Sequence, residues 1–411
     1  MEKTGFSFFP LLALFSVLAL SGACTPGLSG KDLKGALSLP SDSDLSSSAI
    51  KLPREPNPAD ARLRPRDDEG VPAAFPGFSY QNATLTEDTE WYGNVTLEGA
   101  LTVAQQATLT IAPGTLVRFY PPADEQSAAI MLVQGRLVAN GTSDKPVVFR
   151  STFRVAEAGD WQGIVFLASE KKNLLEHCRV EGALTGISGL YSTVVLKNSL
   201  FSSCQTGMRF QDSSVRISGG GAGKCDLGLN LYDSEADVMG ADFSRNRIGI
   251  AVQKSSLTLS GSVVSENTGE AIRAVDSRVT VSESSIRQNG SGITLSFSEG
   301  VVSRNKLDKN MNYGISLTGS RIKVSNNDIT DNGVIGIRVA DGKGIAWGNA
   351  IAANGQYDLY NAGSENFIAI GNWWGDLKPQ NLAGRIYGLS SSSGGRVHYL
   401  PILEYKPVVT P

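Results

Sequence analysis

The sequence predicts an all-β solenoid, a three-sided parallel β-helix of about 12 coils with 21 or 22 residues each. Three observations predict it. Asn246, Asn267, Asn289, Asn310, Asn332 and Asn354 recur at steps of 21, 22, 21, 22 and 22. After each Asn comes a small residue and then an apolar one, as in Gly249-Ile250, Gly292-Ile293 and Gly336-Ile337, and then a Ser at 255, 277, 298 and 320. Finally, each period holds three short apolar runs with the alternation of half-buried strands. A solenoid grows along one axis, so 411 residues need not divide into several cores.

The N-terminus reads as a targeting segment, residues 1–24. Lys3 precedes an apolar run over 6–20, which is short for a spanning helix and right for a signal peptide. The run ends in Leu20-Ser21-Gly22-Ala23-Cys24, which resembles a bacterial lipobox with its Leu one place early. That resemblance implies a lipid on Cys24. The alternative is an ordinary secretory signal cleaved near Ala23. Residues 25–75 are rich in Ser, Pro, Asp and Gly and have no sustained period, so a disordered tether is expected.

The solenoid is expected over 76–376. Its first coils alternate at Val95/Leu97, Leu101/Val103 and Leu109/Ile111, with a turn at Pro113-Gly114. They are looser than the rest, as terminal repeats usually are. The regular coils align on one inward position: Ile164, Ile187, Met208, Leu229, Ile250, Ile272, Ile293, Ile315, Ile337 and Leu359. A second inward position holds Phe210, Leu231, Val252, Ala274, Leu295, Leu317 and Val339. Ser192, Ser213, Ser234, Ser255, Ser277, Ser298 and Ser320 then stack at one corner, and the Asn series stacks at another. A second strand carries Leu257/Leu259 and Val279/Val281, and a third carries Phe201, Phe243, Val264, Ile286, Leu307, Ile329 and Ile351. Parallel stacking at about 4.8 Å puts like on like and lets Asn amides ladder along the axis. Residues 377–411 are expected to cap the last coil and form a tail.

Extended backwards, the Asn column becomes Cys225, Cys204 and Ala183. Stacking brings the Cys204 and Cys225 α-carbons to about 4.8 Å, within disulfide range. The pair is either a possible disulfide or two buried thiols in place of Asn. Cys178 falls in a different column and reads as a small core residue.

The runs Leu101-Thr102-Val103, 107–115, Gly159-Asp160-Trp161-Gln162-Gly163-Ile164 and Gly371-Asn372-Trp373-Trp374-Gly375-Asp376 resemble bacterial right-handed parallel β-helix proteins of the pectin-lyase-like superfamily. The resemblance spans roughly residues 80–405 and implies right-handed coiling and a secreted or lipid-anchored protein. It points to the outer membrane or cell surface, or otherwise the periplasm or medium. It also raises polysaccharide lyase and glycoside hydrolase chemistry. A hydrolase of this kind needs paired acids, and a lyase needs clustered carboxylates for Ca2+ with an Arg or Lys as base. His177 and His398 are the two histidines, and neither sits in a hydrolase setting. The nearest lyase-like group is Asp212 and Asp233, one coil apart, with Arg209 upstream; solvated turn aspartates are the plainer reading. No catalytic residue or metal ligand is assigned. Ca2+ is the one cofactor these residues could take.

A net charge of -3, from 37 basic and 40 acidic residues, offers no footprint for nucleic acid. The outer face of the first strand carries Arg209, Asn230, Arg273, Arg338 and Tyr360, with Gln211 and Tyr232 beside them. Arg and Tyr suit polysaccharide or cell-wall glycan. The candidate ligand face is therefore Arg209, Gln211, Asp212, Tyr232, Asp233 and Arg273. The expected function is a non-enzymatic envelope lipoprotein acting as scaffold, adhesion or binding element. The alternative is a polysaccharide-binding or polysaccharide-lyase-like protein that uses this face.

Overall fold

A computed structural model describes residues 77–120, 129–169, 171–376, 379–388 and 394–409. The signal segment, Cys24 and the tether lie outside the described residues. The chain winds as a parallel solenoid of about 13 turns. Each strand pairs in parallel with the strand one turn away, on three faces.

Face 1 runs through Gly163–Leu167, Thr185–Leu190, Thr206–Gln211, Leu227–Tyr232 and onward to Tyr357–Asn361. Its register joins Ile164 to Ile187, Ile187 to Met208, Met208 to Leu229, and so on to Leu359, as the 21- and 22-residue spacing predicts. Every member of that column is buried. Face 2 includes Glu235–Met239, Ser256–Ser260 and Arg278–Ser282. Face 3 includes Asp242–Ser244, Val263–Ser265 and Ser285–Arg287. The apolar columns of the three faces merge into one continuous core. No coil could bury its apolar side alone, so each depends on its neighbours.

The corners are held by hydrogen bonds between coils. The Ser192 N–H donates to Ser213 Oγ at 3.0 Å, and the pattern repeats from 213 to 234, 234 to 255, 255 to 277, 277 to 298 and 298 to 320. Each ladder hydroxyl donates in turn to the carbonyl two residues before it, as Ser213 does to Gln211 at 2.7 Å. The residue ahead of each Ser takes a left-handed conformation: Tyr191, Asp212, Asp233, Lys254, Asp276 and Phe297 have φ between 44° and 51°. Asp tolerates this region better than most residues because its short side chain bonds locally.

The Asn ladder forms as expected. Asn267 Oδ1 accepts the Asn246 N–H at 2.8 Å, and the same bond repeats from coil to coil up to Asn354. A second ladder occupies the corner between faces 2 and 3: Ser262, Ser284, Asn305, Asn327, Asn349 and Asn372 each accept from the coil before. At the C-terminal end, Asp358 accepts from Asn354 N and Nδ2 at 3.1 and 2.9 Å, and Arg385 pairs with Asp358 at 2.8 Å. The charged pair therefore terminates the first ladder. Trp374 is buried beneath the last turn. The stretch expected as a cap adds a further layer, with Ile386 stacked on Leu359 and His398 on Ile368.

Candidate functional site

Three consecutive corners between faces 1 and 2 enclose an open cleft of about 420 Å³. One coil contributes Tyr191, Ser192 and Thr193, the next Asp212, Ser213 and Ser214, and the third Asp233, Ser234 and Glu235, with Ser169 at one edge. The left-handed turn residue projects from each corner, so sequence position fixes which side chains face the cleft. Tyr191 is 61% exposed and offers an aromatic surface. The ladder serines do not: Ser192, Ser213 and Ser234 already use their hydroxyls as donor and acceptor within the fold. The groups left to meet a ligand are the Asp212, Asp233 and Glu235 carboxylates, the Thr193 and Ser214 hydroxyls and the Tyr191 ring.

The structure brings together part of the expected ligand face. Gln211 reaches its neighbour Asp212 (Nε2–Oδ2 3.4 Å), and Tyr232 pairs with Gln211 in the sheet register, next to Asp233. Lys254 Nζ lies 5.8 Å from the Tyr232 ring centroid. Arg209 turns away from the cleft. Its Nη2 lies 3.5 Å from Thr206 Oγ1, and its Nε is buried without a hydrogen-bond partner. Burial pushes the Arg209 guanidinium below its usual value. Arg273 is exposed and sits three coils further on, through Asn230 and Ala251, about 14 Å away at the coil rise. The arginines and the two aspartates thus do not form one cluster. Among the described residues, no group of three or more His, Cys, Asp or Glu is placed to hold a metal ion.

Cys178, Cys204 and Cys225 are free thiols. Cys204 and Cys225 stack in adjacent coils, their thiols donating to Ser202 O and Gly223 O at 3.4 Å. Cys178 sits in the second polar corner, where its N–H donates to Ser199 Oγ at 3.1 Å, and burial pushes its thiol up to about 12.

Sequence reasoning missed Tyr191 and Glu235, although Tyr191 stands in the column of Asp212 and Asp233, one residue ahead of the ladder Ser192. It also missed the Asn305 to Asn372 ladder, whose 22- and 23-residue steps were legible. A tyrosine cluster closes face 1: Tyr360 and Tyr387 stack at 4.5 Å, with Tyr357 beside them. Burial, then the neighbouring tyrosines, push the Tyr360 hydroxyl above its ordinary value.

Two family models match the chain. A pectate-lyase like β-helix domain covers residues 78–189, and a right handed β-helix region covers 227–373. No curated protein sequence matches. Among solved structures, the periplasmic alginate epimerase AlgG is similar at 14% identity, over 74% of this chain and 77% of that one, with a TM-score of 0.47. The A-module of the mannuronan C-5 epimerase AlgE6 from Azotobacter vinelandii is 13% identical over 80% and 92%, with a TM-score of 0.33. Tailspike protein 3 of bacteriophage CBA120 is 10% identical over 80% and 56%, with a TM-score of 0.30. Likeness at these identities is one of fold. With its strands stacked in parallel on three faces and its two matched regions, the chain has the right-handed parallel β-helix fold.

Proposed function

We propose that this protein is a non-enzymatic β-helix of the bacterial cell envelope, anchored by a lipid on Cys24, that binds a glycan at the Tyr191–Asp212–Asp233 corner. The cleft of about 420 Å³ carries the proposal, because it spans three coils and joins an exposed aromatic ring to exposed carboxylates and hydroxyls. Sugars are held by such groups: an apolar ring face stacks on Tyr, and carboxylates accept sugar hydroxyls. Three carboxylates also set the preference. They repel uronate chains and favour neutral or amino sugars. A chain lying along the axis meets Tyr191 on one coil and Asp212 and Asp233 on the next two, at a coil rise of about 4.8 Å.

The test is a glycan array probed with the full chain. Binding to neutral or amino-sugar glycans, weakened at least tenfold by Tyr191→Ala and by Asp233→Ala, is the expected result. Thermal stability should change little in Tyr191→Ala, whose side chain is mostly in solvent. No retained glycan, or binding untouched by both substitutions, sinks the proposal.

One observation favours a second reading. The exposed guanidinium of Arg273 suits a carboxylate, so acidic glycans would bind the outer side of face 1 instead. Uronate binding that Arg273→Ala abolishes and Tyr191→Ala spares would select that reading. The anchor has its own test, in metabolic labelling with an alkynyl palmitate. Label on the wild type and none on Cys24→Ala supports it; equal label on both removes it.

A further inference from the structure

We propose that Cys204 and Cys225 close a disulfide that staples two adjacent coils along the solenoid axis. The two residues continue the Asn column, one coil and two coils before Asn246, and the register pairs Ser202 with Gly223 just ahead of them. Stacked α-carbons lie at about 4.8 Å, inside the range a disulfide spans. The Cys204 thiol donates to Ser202 O and the Cys225 thiol to Gly223 O, both at 3.4 Å, so the two sulfurs occupy equivalent places in adjacent coils.

The position gives the cross-link a purpose. In later coils an Asn amide ties each turn to the next by two or more bonds, as Asn267 does with Phe243 O and Asn289 Oδ1. Sulfur cannot supply that donor and acceptor set, so the ladder stops at Cys225. The same turn is further loosened at its third face, where Gly219, Gly220 and Gly221 all have positive φ. The turn between the two cysteines also carries Asp212 and Ser213 of the cleft. A covalent tie there replaces the missing amide bonds.

The chemistry balances with a disulfide oxidant of low molecular weight. Either cysteine serves as the first attacking sulfur, Cys225 for instance. The Cys225 thiolate attacks one sulfur of the oxidant and expels a thiolate. Cys204, deprotonated in turn, attacks the Cys225 sulfur of the mixed disulfide and expels the second. The two cysteines lose two electrons and two protons, and the oxidant becomes two thiols. Cys204 and Cys225 are 1% and 6% exposed, so the exchange belongs to folding, before the coils finish docking.

The full chain, unfolded with reductant, is refolded either in a reduced/oxidised glutathione buffer or in reductant alone. It is then alkylated under denaturing conditions and digested with trypsin without reduction. The expected result is two fewer alkylated thiols in the glutathione sample, and a peptide of residues 198–209 joined to one of residues 225–245. A glutathione sample with the same thiol count as the reduced one, or a link through Cys178 instead, overturns the proposal. The wild-type chain alone decides the matter. Cys204→Ser is added to show that loss of one partner restores alkylation of Cys225. The outcome does not depend on what the cleft binds.

Discussion

Removing the side chain of Asn310 tests how the ladder holds the coils. Its Oδ1 accepts the Asn289 N–H at 3.1 Å and the Asn289 Nδ2–H at 3.0 Å. Its Nδ2 donates to Ile286 O at 3.2 Å and to Asn332 Oδ1 at 2.9 Å. In Asn310→Ala, the amide of Asn289 still reaches Val264 O and Arg287 O, and Asn332 Oδ1 still accepts from the residue 310 N–H. The loss that remains uncompensated is one buried backbone group, the Asn289 N–H, because the Ile286 carbonyl keeps its place in the strand ladder with 306–308. At about 1–3 kcal/mol for an orphaned group, the substitution should destabilise by about 2 kcal/mol. Asn310→Ser should cost about half as much. In the second ladder, Ser284 Oγ accepts the Ser262 N–H at 3.1 Å and donates to Ser282 O at 2.7 Å, so a hydroxyl keeps the acceptor and loses the reach across the corner. A solenoid can open locally, so amide hydrogen exchange is the right assay. The Asn289 amide should exchange faster by roughly one to two orders of magnitude in Asn310→Ala, while amides near Leu109 stay unchanged. An Asn289 amide as protected as in the wild type, with stability within about 1 kcal/mol, would refute the reasoning.

Three further outcomes follow from the same contacts. Arg385→Ala leaves the Asp358 carboxylate buried without its ion-pair partner, so it should destabilise by about 3–5 kcal/mol in denaturant melts; adding Asp358→Asn, which carries the ladder on without charge, should recover most of the loss. Gly221→Ala should destabilise by about 3 kcal/mol, because φ is +136° there and a Cβ would stand 1.8 Å from Asp242 O. Arg278, hydrogen-bonded to Glu299 at 2.6 Å, holds that carboxyl below its usual 4.5. A depressed carboxylate adds stability above its unfolded pKa and loses it as pH falls through the folded value, so this pair should act above pH 4.5 and fade below. Carboxyl NMR should show Glu299 titrating below 4.5 in the wild type and near 4.5 in Arg278→Gln.

The architecture was legible because a solenoid writes its contacts into its spacing. A step of 21 or 22 residues places Ile250 on Leu229 and Asn267 on Asn246, so reading one column reads the register of a whole face. The second ladder was equally periodic at Asn305, Asn327, Asn349 and Asn372, but it changes from Ser to Asn partway and so hides its continuity. The cleft was only half legible. Asp212 and Asp233 stood out as charged residues in register, and the structure gives them a backbone reason for that place in the left-handed turn. Tyr191 shares the column of Asp212 and Asp233, one residue ahead of the ladder Ser192, but differs from them in type; Glu235 stacks on Ser214 and under Ser256 in a column of mixed polar residues. Side-chain direction was not legible either: Arg209 lies three residues from Asp212 in sequence, yet it reaches back to Thr206.

Hydrogen exchange of the full chain, with and without the glycan selected on the array, tests the functional account most directly. The account predicts slowed exchange at residues 191–193, 212–214 and 233–235, one patch on each of three successive corners, and unchanged exchange elsewhere. Protection centred instead on Arg338, Tyr360 and Tyr387, or no glycan that protects any corner, would contradict it.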